Sequence, residues 1–187
     1  MVKKNTCVFI SGQGSNLKNL ILHSRNNNFP INISLVISNN KKAYGINHAK
    51  KYKIPYIFIN TKVRNYENKI LLNLKRYNIS FICLAGYMKI ISHKLIKNYK
   101  RKIINIHPSL LPKFKGLNTF SRMLKNREKK GGCTVHYVDE KLDNGEKIIQ
   151  KSFFIDTKDN EINLKNKTQK LEYKAFPEAI IKIFRNY

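Results

Sequence analysis

Cys7-Val8-Phe9-Ile10-Ser11-Gly12-Gln13-Gly14-Ser15-Asn16-Leu17 decides the fold class of this chain. Four apolar residues of strand character run into a glycine-bearing turn, and the turn opens a segment with helical spacing. The same unit recurs downstream. Apolar strand-like runs at 33–37, 56–59, 81–85 and 103–106 alternate with segments at 17–24, 44–52, 66–77 and 93–99 that turn a stripe of Leu, Ile or Tyr to one side. That alternation predicts an α/β fold whose parallel strands are joined by right-handed crossovers. After Pro112 the pattern changes to a short helix at 120–124, two strands at 134–138 and 147–154, and a last helix at 164–184. With no internal repeat and no Pro/Gly/Ser-rich linker, the second half is expected to extend the same sheet, so 1–187 reads as one domain.

The chain has 187 residues, of which 42% are hydrophobic, enough to close a core without disulfides or metal. Cys7, Cys83 and Cys133 are far apart in sequence, which is neither zinc-ligand spacing nor a disulfide framework, and a reducing compartment fits best. Lys3 and Lys4 are followed by an apolar stretch too short for a signal-peptide core, and no later run is long enough to span a bilayer. A soluble, cytoplasmic protein with no membrane partner is expected. Lys and Arg total 37 against 11 Asp and Glu, a net charge of +26, and Glu67 is the only carboxylate before Glu128. Such a field attracts nucleic acid, membrane surfaces and small anions alike. Because the cations are dispersed and not gathered into a stripe, a compositional bias toward Lys, Asn and Ile explains them better than a nucleic-acid surface does.

Three motifs could carry chemistry. Gly14, Ser15 and Asn16 lie where a helix N-terminus offers N–H groups to an anion. Leu17 stands in place of a third glycine and no acid follows the second strand, so a phosphate monoester fits better than a dinucleotide. The alternative is a plain turn capped by Ser15 or Asn16. Asn105 and His107, in Ile104-Asn105-Ile106-His107-Pro108-Ser109-Leu110-Leu111-Pro112, fall on one side of a strand end, where an amide and an imidazole suit a carbonyl becoming an oxyanion. Asp143, after Cys133-Thr134-Val135-His136-Tyr137-Val138, precedes Asn144-Gly145; it could orient His107, or simply belong to a hairpin turn.

Together these motifs, with Leu84-Ala85-Gly86-Tyr87-Met88-Lys89-Ile90-Ile91-Ser92, resemble the phosphoribosylglycinamide formyltransferase family over nearly the whole chain. The resemblance implies a Rossmann-like, mostly parallel central sheet flanked by helices, and no metal. It implies transfer of formyl from 10-formyltetrahydrofolate to the amine of glycinamide ribonucleotide without a covalent enzyme intermediate. It divides the domain into a phosphate-binding half, 1–100, and a catalytic and folate-binding half, 101–187. By the same resemblance Asn105, His107 and Asp143 are the catalytic trio; Gly14, Ser15, Asn16 and Glu172 bind substrate; Arg64, Met88, Lys89, Ile90, Ile91 and Asn105 hold folate. Gln13 replaces an Asn usual in the family, and Lys115, Asn118 and Phe120 stand where the family often has Pro, His and His, which bears on pH-dependent ordering of that loop and not on the trio.

Methionyl-tRNA formyltransferase and formyltetrahydrofolate deformylase share the His-Pro-Ser-Leu-Leu-Pro and Leu-Asp-x-Gly motifs. The first is expected to carry an additional C-terminal domain and the second an additional N-terminal one, for neither of which 187 residues leave room. A nucleic-acid-binding module on a dead enzyme fold would be expected to have lost one of the trio. The partners expected are small molecules and not nucleic acid, bound by a monomer or homodimer.

Overall fold

The computed structural model describes residues 2–185. In chain order the elements are β1 (Lys4–Ile10), α1 (Ser15–Ser24), β2 (Ile31–Ser38), α2 (Gly45–Lys51), β3 (Tyr56–Phe58), α3 (Tyr66–Arg76), β4 (Phe81–Leu84), α4 (His93–Asn98), β5 (Ile103–His107), α5 (Thr119–Lys125), β6 (Lys130–Tyr137), β7 (Lys147–Phe154) and α6 (Glu161–Arg185). The strands form one seven-stranded sheet in the order β3-β2-β1-β4-β5-β6-β7. The α/β alternation expected from the sequence is therefore the fold: a mostly parallel sheet flanked by helices.

Two compact units divide the chain, 1–104 and 105–187. In the first, β1 pairs in parallel with β2 and β4, and β2 with β3. Strands covered on both faces need apolar side chains at every position. Accordingly Cys7, Val8, Phe9 and Ile10 of β1, and Leu35, Val36 and Ile37 of β2, have no exposed surface.

In the second unit β6 and β7 pair antiparallel, and α6 packs on both. β6 begins at Lys130, four residues before the strand expected there, because Gly131 and Gly132 hide its start. Glycine has poor strand propensity, but here Gly132 fills a place that no side chain could, and Gly131 one that a side chain could take only by displacing the Phe153 ring. A Cβ on Gly132 would come within 2.1 Å of the Lys151 carbonyl, and one on Gly131 within 2.6 Å of the Phe153 ring. The β6–β7 connection is also longer than a two-residue Asn-Gly hairpin: nine residues, 138–146, separate the strands. Gly145 is required there, since a Cβ would sit 1.8 Å from the Tyr137 carbonyl oxygen.

Candidate active site

In the first unit, Gly14 is the N-cap of α1, in the left-handed region at φ 71°, and has no side chain with which to cap the helix. No acidic residue stands in the first turn of α1, so its positive end is uncompensated. The turn is braced from α2: Gly45 N–H donates to the Gly12 carbonyl at 3.0 Å, and a Cβ on Gly14 would lie 2.5 Å from the Gly45 Cα. Ser11 ties this turn to the segment after β4. Its hydroxyl donates to Asn39 Oδ1 at 2.5 Å and accepts from Met88 N–H at 2.7 Å, while Ser11 N–H donates to the Gly86 carbonyl at 3.2 Å. Met88, Lys89 and Ile90 are exposed and Ile91 is buried, all in irregular backbone. Arg64 is exposed just before α3.

In the second unit the structure brings Asn105, His107 and Asp143 together. Strand alternation puts Asn105 and His107 on one face of β5, and Asp143 arrives from the 138–146 loop. Its Oδ2 accepts from Gly116 N–H at 2.8 Å and lies 3.3 Å from His107 Nδ1; its Oδ1 lies 3.4 Å from Asn105 Nδ2 and 3.7 Å from His136 Nε2. The carboxylate and both imidazoles are buried, with side-chain exposures of 8%, 6% and 2% for Asp143, His107 and His136. Asp143 and Phe114 both hold left-handed backbone, at φ 47° and 56°. For a bulky aromatic that conformation is a local strain of the kind that collects at functional sites.

The partners settle the proton positions. A carbonyl oxygen can only accept, so His107 Nε2, 2.8 Å from the Phe114 carbonyl, bears a hydrogen. Its Nδ1 is the nitrogen left facing Asp143. By the same reasoning His136 Nδ1 donates to the Tyr137 carbonyl at 2.8 Å, which makes its Nε2 the acceptor for Asn105 Nδ2 at 3.2 Å. With His136 Nε2 and Asp143 Oδ1 both accepting, the Asn105 amide has one orientation; flipping it would set oxygen against two acceptors.

Thr134 holds the loop that supplies the Phe114 carbonyl. Its hydroxyl donates to the Ser109 carbonyl at 2.6 Å and accepts from Leu111 N–H at 3.1 Å and Gln150 Nε2 at 2.9 Å. Lys115 Nζ donates to Asn144 Oδ1 at 2.7 Å, joining the same loop to the residue after Asp143.

Burial pushes the His107 pKa down, and the Asp143 carboxylate, though it pulls the other way, does not restore it. Desolvation outweighs the charge pair, and a value below 6.5 leaves the ring mostly neutral near pH 7. Burial alone would raise Asp143, but the His136 ring beside it and the N–H of Gly116, together with the positive charge that the two imidazoles acquire in acid, carry it below the ordinary carboxylate value. A neutral imidazole nitrogen thus faces a carboxylate, and one proton delivered between them would be bound by both.

His136 was not singled out from sequence, although a polar residue in an otherwise apolar strand next to a scarce acid was its signal. Neither the Phe114 carbonyl nor the Gly116 N–H could be found from sequence, because both are backbone groups. Glu172 lies on α6, where its charge contributes to raising Cys133 of β6, whose pKa burial above all pushes up to about 12. Among the described residues no group of three or more His, Cys, Asp or Glu could hold a metal ion, and no helix is long and apolar enough to cross a membrane.

The sequence pattern of the family described as formyl transferase matches residues 4–180. A protein of Haemophilus influenzae named phosphoribosylglycinamide formyltransferase is 37% identical over 95% of this chain and 85% of its own length. The trifunctional purine biosynthetic protein adenosine-3 of Drosophila melanogaster is 39% identical over 95% of this chain, which spans 14% of that protein's length. The crystal structure of phosphoribosylglycinamide formyltransferase from Bacillus halodurans superimposes with a TM-score of 0.92 at 33% identity, covering 96% of this chain and 95% of that one. The chain belongs to the formyl transferase family, and within it to the group of enzymes named phosphoribosylglycinamide formyltransferase.

Proposed function

We propose that this chain transfers a formyl group from 10-formyltetrahydrofolate to the amino group of glycinamide ribonucleotide, a step of purine synthesis in the cytoplasm. The observation that carries the reading is the buried cluster in which His107 Nδ1 faces Asp143 Oδ2 at 3.3 Å beside Asn105. The names of the relatives support the choice of substrate. Gly14, Ser15 and Asn16 take the substrate phosphate on the N-terminal end of α1, and Glu172 contacts the rest of that substrate. Formyl-folate, when bound, supplies the formyl group. The segment after β4 fits a flat heteroaromatic ring: its backbone lies outside helix and strand, and Met88 and Ile90 expose 63% and 73% of their surface. Met88, Lys89, Ile90 and Ile91 hold that ring, with Arg64 on the carboxylates.

The chain's own groups then hold one oxyanion and move one proton. As the amine attacks the formyl carbon, charge builds on the formyl oxygen, and Asn105 Nδ2 donates to it. Of its two present hydrogen bonds, the 3.4 Å one to Asp143 is the weaker and is the one released. The proton lost by the amine is taken up at His107 Nδ1, where Asp143 stabilises the resulting imidazolium beside the oxyanion. Phe114 keeps Nε2 occupied throughout, so the proton enters and leaves through Nδ1. From there, directly or through water at Asp143, it reaches the departing nitrogen as the carbon–nitrogen bond breaks. No side chain becomes acylated.

The test follows absorbance as 10-formyltetrahydrofolate, or a dideaza analogue, loses its formyl group, with and without glycinamide ribonucleotide. Turnover that requires the ribonucleotide is expected. Turnover indifferent to it, or none, would overturn the reading.

A further inference from the structure

The second unit contains an open cavity of about 530 Å³ that the reading above does not use. Its apolar lining is Leu110, Pro112, Phe114 and Met123, the last fully buried. Its cationic lining is Lys113, Arg127, Lys129 and Lys130, with Glu128 as the one carboxylate. Lys113 Nζ lies 3.0 Å from a Glu128 oxygen, so that pair is neutral and three positive charges remain. In a chain this rich in lysine a cationic rim is not by itself a site, but here it surrounds an apolar floor of Leu110, Pro112, Phe114 and Met123. The combination, at a size within the range of about 300–1,000 Å³ typical of small-molecule sites, suits one kind of occupant.

We infer that this cavity is a second ligand site, for an organic anion of nucleotide size: a flat apolar body against Leu110, Pro112, Phe114 and Met123, and a phosphate on Arg127, Lys129 and Lys130. Guanidinium and ammonium groups together suit a phosphate, the first by its fork of donors and the second as a point charge. The site is an effector site because of Phe114. Phe114 lines the cavity, and its carbonyl accepts the hydrogen bond from His107 Nε2. An occupant that shifts Phe114 shifts the imidazole. This coupling rests on the reading of His107 as catalytic; the binding does not.

Adenosine 5′-monophosphate is the probe, titrated calorimetrically into the full chain at low salt, with adenosine and inorganic phosphate as the two halves of the molecule. The control variant pairs Arg127→Asn with Lys129→Gln, since asparagine tolerates the left-handed backbone that Arg127 holds at φ 49°. Saturable binding of the monophosphate is expected. It should weaken by roughly tenfold or more in the variant, and adenosine and phosphate should each bind at least as much more weakly than the whole. Bound monophosphate should also shift the His107 C2 proton resonance while glycinamide ribonucleotide still binds. Absence of binding, equal affinity in the variant, or displacement by glycinamide ribonucleotide would overturn the site. Formyl transfer measured on the same protein separates the two claims. Binding without transfer sinks the proposed activity and leaves the site; transfer without binding sinks the site and leaves the activity.

Discussion

Asp143 brings four groups onto two oxygens, and the consequences of removing its charge follow from which of them need it. Asp143→Asn keeps the size of the side chain but cannot stabilise an imidazolium at His107 Nδ1. It should lower kcat by roughly 10² to 10⁴ in steady-state assays while KM for both substrates stays within a few fold; a full-speed variant would refute the role. The pKa directions also predict how stability depends on acid. His107 is lowered from 6.5, so the unfolded chain takes up its proton first and stability falls as pH drops below 6.5 toward the lower folded value. Asp143, lowered from 3.8, contributes stability that is present above 3.8 and lost as pH falls through its folded value. His48 is lowered too, by burial and then by Lys18 and Lys51, so it shares the first window. Melting temperatures measured from pH 7 to pH 5 should therefore fall less in His107→Asn than in the parent, without becoming flat. An equal fall in both would contradict the lowered value.

The strands and helices were legible because each apolar run and each stripe obeys one period, and most ends fell within two or three residues of expectation. What was not legible is held by groups without a sequence signature. Gly45 is one: nothing in Ala43-Tyr44-Gly45-Ile46 announces a brace for a turn thirty residues earlier, yet its Cβ would meet Ile10 Cδ1 at 2.7 Å and Gly14 Cα at 3.0 Å. Gly45→Ala should push the α1 turn out of place and raise KM for the phosphorylated amine more than it lowers kcat; an unchanged KM would mean that the phosphate does not depend on this turn. Thr134 is another, a hydroxyl in an apolar strand with two hydrogen bonds to the loop after β5 and a third to Gln150 of β7. Thr134→Val leaves the Ser109 carbonyl, Leu111 N–H and Gln150 short of a partner, which should cost about 1–3 kcal/mol in denaturant unfolding. It should also lower kcat, since that loop carries the Phe114 carbonyl. His136 was visible in the sequence and overlooked, because a histidine in a strand reads as core until its partners are known.

At the scale of the whole molecule the charge of +26 is the quantity that acts on everything at once. Dispersed cations repel one another, and the compact state holds them closer than the unfolded chain does. Raising ionic strength from about 0.1 M to about 1 M with sodium chloride shortens the screening length from roughly 10 Å to roughly 3 Å, so thermal stability should rise. A melting temperature indifferent to salt would show that the charges are already balanced in place. The fold class could be read from alternation, but the division at residue 104 could not, because it falls inside a strand and leaves no linker to mark it. That strand, β5, carries Ile104 and Ile106 on one face and Asn105 and His107 on the other. Core and chemistry therefore share a single parity. A one-residue insertion or deletion that slipped β5 would send both polar side chains into the core and both isoleucines into the site, whereas a substitution affects only one face. Lineages of this enzyme can vary β5 letter by letter, but they can change its length only where the loops absorb the step.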